Sequence, residues 1–144
     1  MKFWDSSAIV PMLVRETRSA DLLALKADDP DVAVWWGSVV ECAAALVRRR
    51  REGTVTGGTE VEARQRLADL ADSWYEISPS PALRQSAERL VGVHELLRAG
   101  DALQLAAALI WAAAAPPAHA VVTLDQRLRD AALREGFRVV PERI

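Results

Sequence analysis

Cysteine and histidine are nearly absent from this chain, which has one cysteine and two histidines among 144 residues. The lone Cys42 cannot form an intrachain disulfide or a cysteine-based zinc cluster. The scarcity of cysteine also suits a reducing cytoplasm.

A large excess of one charge and a long apolar run are also missing. The 18 basic and 20 acidic residues nearly balance, so binding to nucleic acid would have to rely on a local patch or a metal ion. The most apolar run, residues 105–118, is shorter than the roughly 20 residues that a membrane-spanning helix needs. Because no signal peptide is recognisable, we expect a cytoplasmic protein without a membrane partner.

The residues that are present indicate one globular α/β domain over residues 1–144. Hydrophobic residues make up 51% and charged residues 26% of the chain, and no repeat or linker interrupts it. Helical patterns separate five short strand candidates, which predicts a mostly parallel sheet in a three-layer α/β/α sandwich. The strand candidates are KFW, DVAVWW, WYEIS, HAVVTL and FRVV. The predicted helices cover 8–16, 18–29, 38–51, 59–72, 82–98, a segment from Asp101, and 125–136.

Four acids stand at positions where they could meet. Asp5 and Asp125 each follow a strand candidate, so both lie at the carboxyl edge of the sheet if those strands are parallel neighbours. Glu41 and Asp101 lie in apolar surroundings, where an isolated charge is costly to bury. Four converging carboxylates would repel one another unless a cation intervened. A Mg²⁺ ion meets that need and supports hydrolysis of phosphodiesters.

Each acid also has a simpler interpretation. Asp5, Asp125 and Asp101 each precede or open a predicted helix, where a carboxylate can cap free backbone N–H groups. Glu41 could be a solvated side chain, although its neighbours provide no polar stripe. Capping and metal binding are compatible, because a helix N-terminus also orients a carboxylate. The residues alone leave these alternatives open.

The four acidic segments together resemble the motifs of PIN-domain ribonucleases, and among them the VapC-type toxins of toxin–antitoxin pairs. The opening FWDSSAIV is similar to the first motif, and SVVECAAAL is similar to the second. LRAGDALQLAAAL and VVTLDQRLRDAALREGFRVV resemble the third and fourth. The resemblance extends over nearly the whole chain, in the family's order.

This resemblance implies a PIN-like fold and a Mg²⁺- or Mn²⁺-dependent endoribonuclease, the toxin of a type II pair. It implies a catalytic and metal-binding cluster of Asp5, Glu41, Asp101 and Asp125, with Ser6 and Thr123 as supporting residues. It also implies a VapB-type antitoxin and a homodimer. Two positions depart from the family's usual sequence. Ser7 stands where the family more often has asparagine, and Leu124 stands where an aromatic residue is frequent.

Two further features could contact RNA. Arg48, Arg49 and Arg50 could hold phosphates, or they could form a solvated helix end that complements the helix dipole. Trp35 and Trp36 could stack on bases or pack in a core or dimer interface. A PIN fold that binds RNA or a protein without catalysis is the alternative function. A receiver domain or a dehalogenase-type phosphatase would need acids or a lysine that this chain lacks.

Overall fold

Five short strands, rich in β-branched and aromatic residues, form one sheet in the computed structural model, which describes residues 1–143. Neighbouring strands are parallel, in the order β3-β2-β1-β4-β5. The chain starts at the centre and fills one side of the sheet before the other. The carboxyl ends of β1 and β4 therefore lie side by side at a topological switch point. The strands are β1 (Lys2–Trp4), β2 (Val32–Trp35), β3 (Tyr75–Ile77), β4 (Ala120–Val122) and β5 (Arg138–Val140).

Helices cover both faces of the sheet, which confirms the predicted three-layer sandwich. Because side chains alternate along a strand, Phe3 enters the core under α5, α6 and α7, and Trp4 enters the core under α1 to α4. No helix within residues 1–143 is both long and apolar enough to cross a membrane. The helices are α1 (Ser6–Leu13), α2 (Ser19–Asp28), α3 (Ser38–Arg51), α4 (Gly57–Ala71), α5 (Pro81–Val93), α6 (Ala99–Trp111) and α7 (Gln126–Arg134).

Several predicted helix boundaries were wrong. Helix α1 covers Ser6–Leu13 rather than residues 8–16, because Asp5 caps it and Val14 adopts an extended backbone. Helix α5 ends at Val93 rather than near residue 98, because His94 adopts an extended backbone and its buried ring bonds Glu135, 2.9 Å away. Helix α6 starts at Ala99 rather than at Asp101, so Asp101 stands within its first turn. Helix α4 starts before Thr59, since the Thr56 hydroxyl caps it. Each error reflects a local cap or a distant partner that periodicity does not reveal.

Candidate functional site

Two of the predicted acids follow the central strands β1 and β4. Asp5 caps α1 and accepts a hydrogen bond from the Ser7 N–H at 3.1 Å. Asp125 caps α7 and accepts from the N–H groups of Arg127 and Leu128 at 2.8 and 3.1 Å. Because β1 and β4 are neighbours, both carboxylates stand at one edge of the sheet. Capping thus explains their local geometry, and the sheet explains their common location.

The other two acids come from helices that pass the same edge. Glu41 lies in the first turns of α3 and accepts from Gln104 Nε2 at 2.7 Å. Asp101 lies in the first turn of α6 and accepts from the Arg98 N–H at 3.1 Å, so it caps this helix from within. Asp101 does accept from a free backbone N–H, as the capping interpretation expected, but it does so from the third helical position, because the N-cap residue is Arg98.

All four carboxylates line one cavity of about 540 Å³. Within residues 1–143, however, no three histidine, cysteine or acidic side chains are close enough together to form a metal-binding group. The acids surround the cavity without being gathered at one point. Their donor chemistry still suits Mg²⁺ or Mn²⁺, because every ligand is an oxygen and Mg²⁺ commonly keeps several of its waters.

Asp5 is the most enclosed of the four, with 5% of its surface exposed. Burial raises the pKa of Asp5, and hydrogen bonds from Ser7 and Thr123 oppose that rise. The Thr123 hydroxyl donates to Asp5 Oδ2 at 3.0 Å. The Ser6 hydroxyl makes a longer contact of 3.4 Å to Oδ1. Asp5 is consequently fixed in one orientation at the base of the cavity.

Ser7 was not predicted as a site residue, yet it connects the two halves of the site. Its hydroxyl donates to Asp5 and accepts from the Leu124 N–H at 2.9 Å. It also lies 3.3 Å from the Thr123 hydroxyl. Ser7 thereby joins the start of α1 to the segment between β4 and α7. The sequence signal was available, because a hydroxyl two residues after a capping acid can reach that acid.

Gln104 is a second residue that the sequence did not single out. It is fully buried, and its amide donates both to Glu41 and to Ser38 Oγ, the latter at 3.2 Å. Burial raises the pKa of Glu41, and the charges of Asp5 and Asp101 add to that rise. The Gln104 amide opposes it. The sequence does contain a signal that could have identified Gln104. It is the one amide side chain in an alanine-rich predicted helix, three residues after Asp101.

Arg127 is the third residue that the sequence did not single out, and it provides a cation next to two of the acids. Its Nη2 lies 3.1 Å from Asp125 Oδ2, and its Nε lies 3.8 Å from Asp101 Oδ2. Burial raises the pKa of Asp101, as does the charge of Asp125, whereas Arg127 lowers it. Arg127 therefore partly neutralises this side of the cavity.

The three predicted RNA-binding arginines separate in the structure. Arg48 and Arg49 line the acidic cavity, where Arg49 pairs with Glu16. Arg50 instead pairs with Glu60 of α4. Two of the three arginines thus stand where a phosphate chain could reach both them and the acids.

Glu41→Gln is expected to stabilise the protein in EDTA as pH rises. A pKa raised by folding means that the folded state binds the proton more tightly, so stability falls as pH rises above the ordinary value of 4.5. The amide carries no charge and can still accept from Gln104. Thermal melts should show equal stability below pH 4.5 and a growing advantage of the variant above it. A variant that is less stable at pH 8 in EDTA contradicts this electrostatic picture.

Arg127→Gln is expected to tighten Mn²⁺ binding. The guanidinium competes with a cation for Asp101 and Asp125, and a partly exposed ion pair of this kind corresponds to up to about fivefold in affinity. Isothermal titration calorimetry with Mn²⁺ measures the change, and Arg89→Gln, at a remote pair with Glu135, is the control. Weaker binding by the Arg127 variant would mean that this arginine positions the acids instead of competing.

Comparison with known proteins supports the fold alone. No protein-family model and no curated protein sequence matches this chain. Among solved structures, it is similar to the one titled "Crystal structure of PAE2754 from Pyrobaculum aerophilum". The TM-score is 0.64 at 19% sequence identity, over 96% of this chain and 83% of that one. The shared architecture therefore carries no statement about activity.

Proposed function

We propose that this protein is a metal-dependent endoribonuclease of the PIN-domain type, which hydrolyses RNA phosphodiester bonds. The observation that carries the proposal is the single cavity lined by Asp5, Glu41, Asp101 and Asp125 at the carboxyl edge of the sheet. These acids come from four separate parts of the chain. Burial raises the pKa values of Asp5, Glu41 and Asp101, and a bound cation would lower them.

Mg²⁺ or Mn²⁺, when bound, supplies a Lewis acid and an activated water for phosphodiester hydrolysis. The residues of the chain prepare that site. Ser7 and Thr123 hold Asp5 in place, and Gln104 orients Glu41. Arg48 and Arg49 on the rim offer positive charge to the RNA backbone. No histidine or cysteine is needed as a general base.

We further propose that the nuclease is a cytoplasmic toxin that a VapB-type antitoxin neutralises, and that it forms a homodimer. This part depends on the resemblance of the four motifs to VapC-type toxins. Induced expression should arrest bacterial growth, and the product of a small adjacent gene should relieve the arrest. Growth that continues at full rate with a soluble, folded product would remove the toxin assignment and leave the nuclease assignment in place.

A PIN fold that binds RNA or a protein without catalysis is the second candidate. The observation in its favour is that, within the described chain, no three potential ligands are gathered as a metal-binding group. Arg127 also provides a charge partner for Asp101 and Asp125 that a non-catalytic protein would retain.

The two candidates are separated by incubating the purified chain with a labelled single-stranded RNA in Mg²⁺, in Mn²⁺ and in EDTA. The nuclease proposal predicts internal cleavage that requires the metal. Retention of intact RNA in all three conditions supports the non-catalytic candidate. Fluorescence anisotropy of the same RNA in EDTA then measures binding, and a chain that neither cleaves nor binds the RNA contradicts RNA as the ligand.

A further inference from the structure

Trp36, two residues before α3, and three residues of α3 form an exposed row at four-residue spacing in the sequence, which we term the α3 stripe. It consists of Trp36, Val40, Ala44 and Arg48, and all four side chains are exposed. Trp36 and Val40 are 53% and 66% exposed, so the two apolar side chains are adjacent members of the row that are both open to solvent. At 1.5 Å per residue the helical part of the stripe, from Val40 to Arg48, is about 12 Å long.

Trp36 is held in place but not covered. Its N–H donates to the carbonyl of Ile77 at 3.0 Å, which fixes the backbone at the end of β2. Its ring meets the buried Trp35 ring edge-on, with centroids 6.2 Å apart. About half of the Trp36 surface stays exposed at the carboxyl edge of the sheet, which is the edge that carries the acids.

The stripe runs from Trp36 into the acidic cavity. Ala44 and Arg48 belong to the stripe and also line the cavity, beside Glu41 on the same helix. No acidic side chain within residues 1–143 pairs with Arg48, in contrast to Arg49 and Arg50. One track therefore offers an aromatic face at one end and a cationic group at the other, with the acids alongside.

We propose that the α3 stripe is the track for single-stranded RNA, with one base stacked on Trp36 and a phosphate on Arg48. This inference rests on the proposed nuclease function. Aromatic faces next to a basic groove bind single strands because every base can stack and every phosphate is anionic. A second copy of the chain fits less well, because it would have to bury Arg48 and lie across the acidic cavity.

The test measures the affinity for a fluorescein-labelled single-stranded RNA by anisotropy, without divalent ions so that the RNA stays intact. Trp36→Ala is expected to weaken the affinity for RNA about tenfold, which is the effect expected when one base loses its stacking partner. Trp36→Phe keeps an aromatic ring and should therefore retain most of the wild-type affinity. In Mg²⁺ cleavage assays, Trp36→Ala should raise KM more than it lowers kcat. Tyr75→Ala is the matched control, since Tyr75 is 56% exposed at the opposite edge of the sheet.

The phosphate contact has its own readout. Arg48→Ala should reduce the slope of log affinity against log salt by about 0.7, as expected for one contact to a single strand. Arg138→Ala, an exposed arginine at the opposite sheet edge, should leave that slope unchanged.

The possible outcomes distinguish this inference from the proposed function. If the wild type binds and cleaves RNA but Trp36→Ala and Tyr75→Ala behave alike, the track is overturned and the nuclease stands. If Trp36→Ala changes the sedimentation coefficient of the protein and not its RNA affinity, the stripe is a self-association face and the track is overturned. A wild type that neither binds nor cleaves RNA removes both proposals.

Discussion

Asp5→Asn is expected to abolish Mg²⁺-dependent RNA cleavage, with a loss on the order of a hundredfold to a thousandfold in kcat. Asp5 is buried at the base of the cavity and held by three side-chain hydroxyls, so an amide would keep the shape but lose the charge. The rate is measured on single-stranded RNA in Mg²⁺, with EDTA as the blank.

The variant should remain folded, which separates catalysis from stability. Burial raises the pKa of Asp5, so removing its charge should leave the thermal midpoint in EDTA at neutral pH equal to or above that of the wild type. Asp69→Asn is the matched control, because Asp69 is an exposed acid of α4 whose carboxylate accepts from Gln65 on the same helix at 3.0 Å. Cleavage by Asp5→Asn at the rate of this control would contradict the site.

Ser7→Ala is expected to lower kcat/KM for RNA by about tenfold to a hundredfold, the usual range for a residue that positions a metal ligand. The hydroxyl both donates to Asp5 and satisfies the Leu124 N–H, so its loss frees Asp5 and leaves a backbone donor unpaired. Thermal melting should show a loss of about 1–3 kcal/mol in unfolding free energy for the same reason.

Ser6→Ala provides the comparison, because the resemblance assigned the supporting role to Ser6. Its hydroxyl reaches Asp5 only through a contact of 3.4 Å, so its removal should cost less than that of Ser7. Measuring both variants in one assay decides between the two serines. A larger loss for Ser6→Ala would show that the motif resemblance is the better guide to this position.

The fold was largely predictable from the sequence, for a simple physical reason. The alternation of short β-branched segments with helical patterns permits few arrangements other than a parallel sheet covered on both faces. The same logic placed Asp5 and Asp125 at one edge, because each follows a strand. Phe3 and Trp4 then had to face opposite cores, as they do.

The partners of the acids were not predictable, because they depend on packing between distant elements. Gln104 reaches Glu41 across 63 positions of sequence, and Thr123 reaches Asp5 across 118. The early end of α5 has the same origin, since His94 bonds Glu135 at a separation of 41 residues. Periodicity reports which side of a helix is buried, but not which polar group lies opposite.

The measurement that tests the central claim most directly is anomalous X-ray scattering from crystals of the protein soaked in Mn²⁺. We expect a manganese peak in the acidic cavity, within ligand distance of Asp5 and at least one of Glu41, Asp101 and Asp125. Asp5→Asn crystals soaked in the same way should lose most of that peak. No peak in the cavity of well-ordered wild-type crystals at saturating Mn²⁺ would contradict the account.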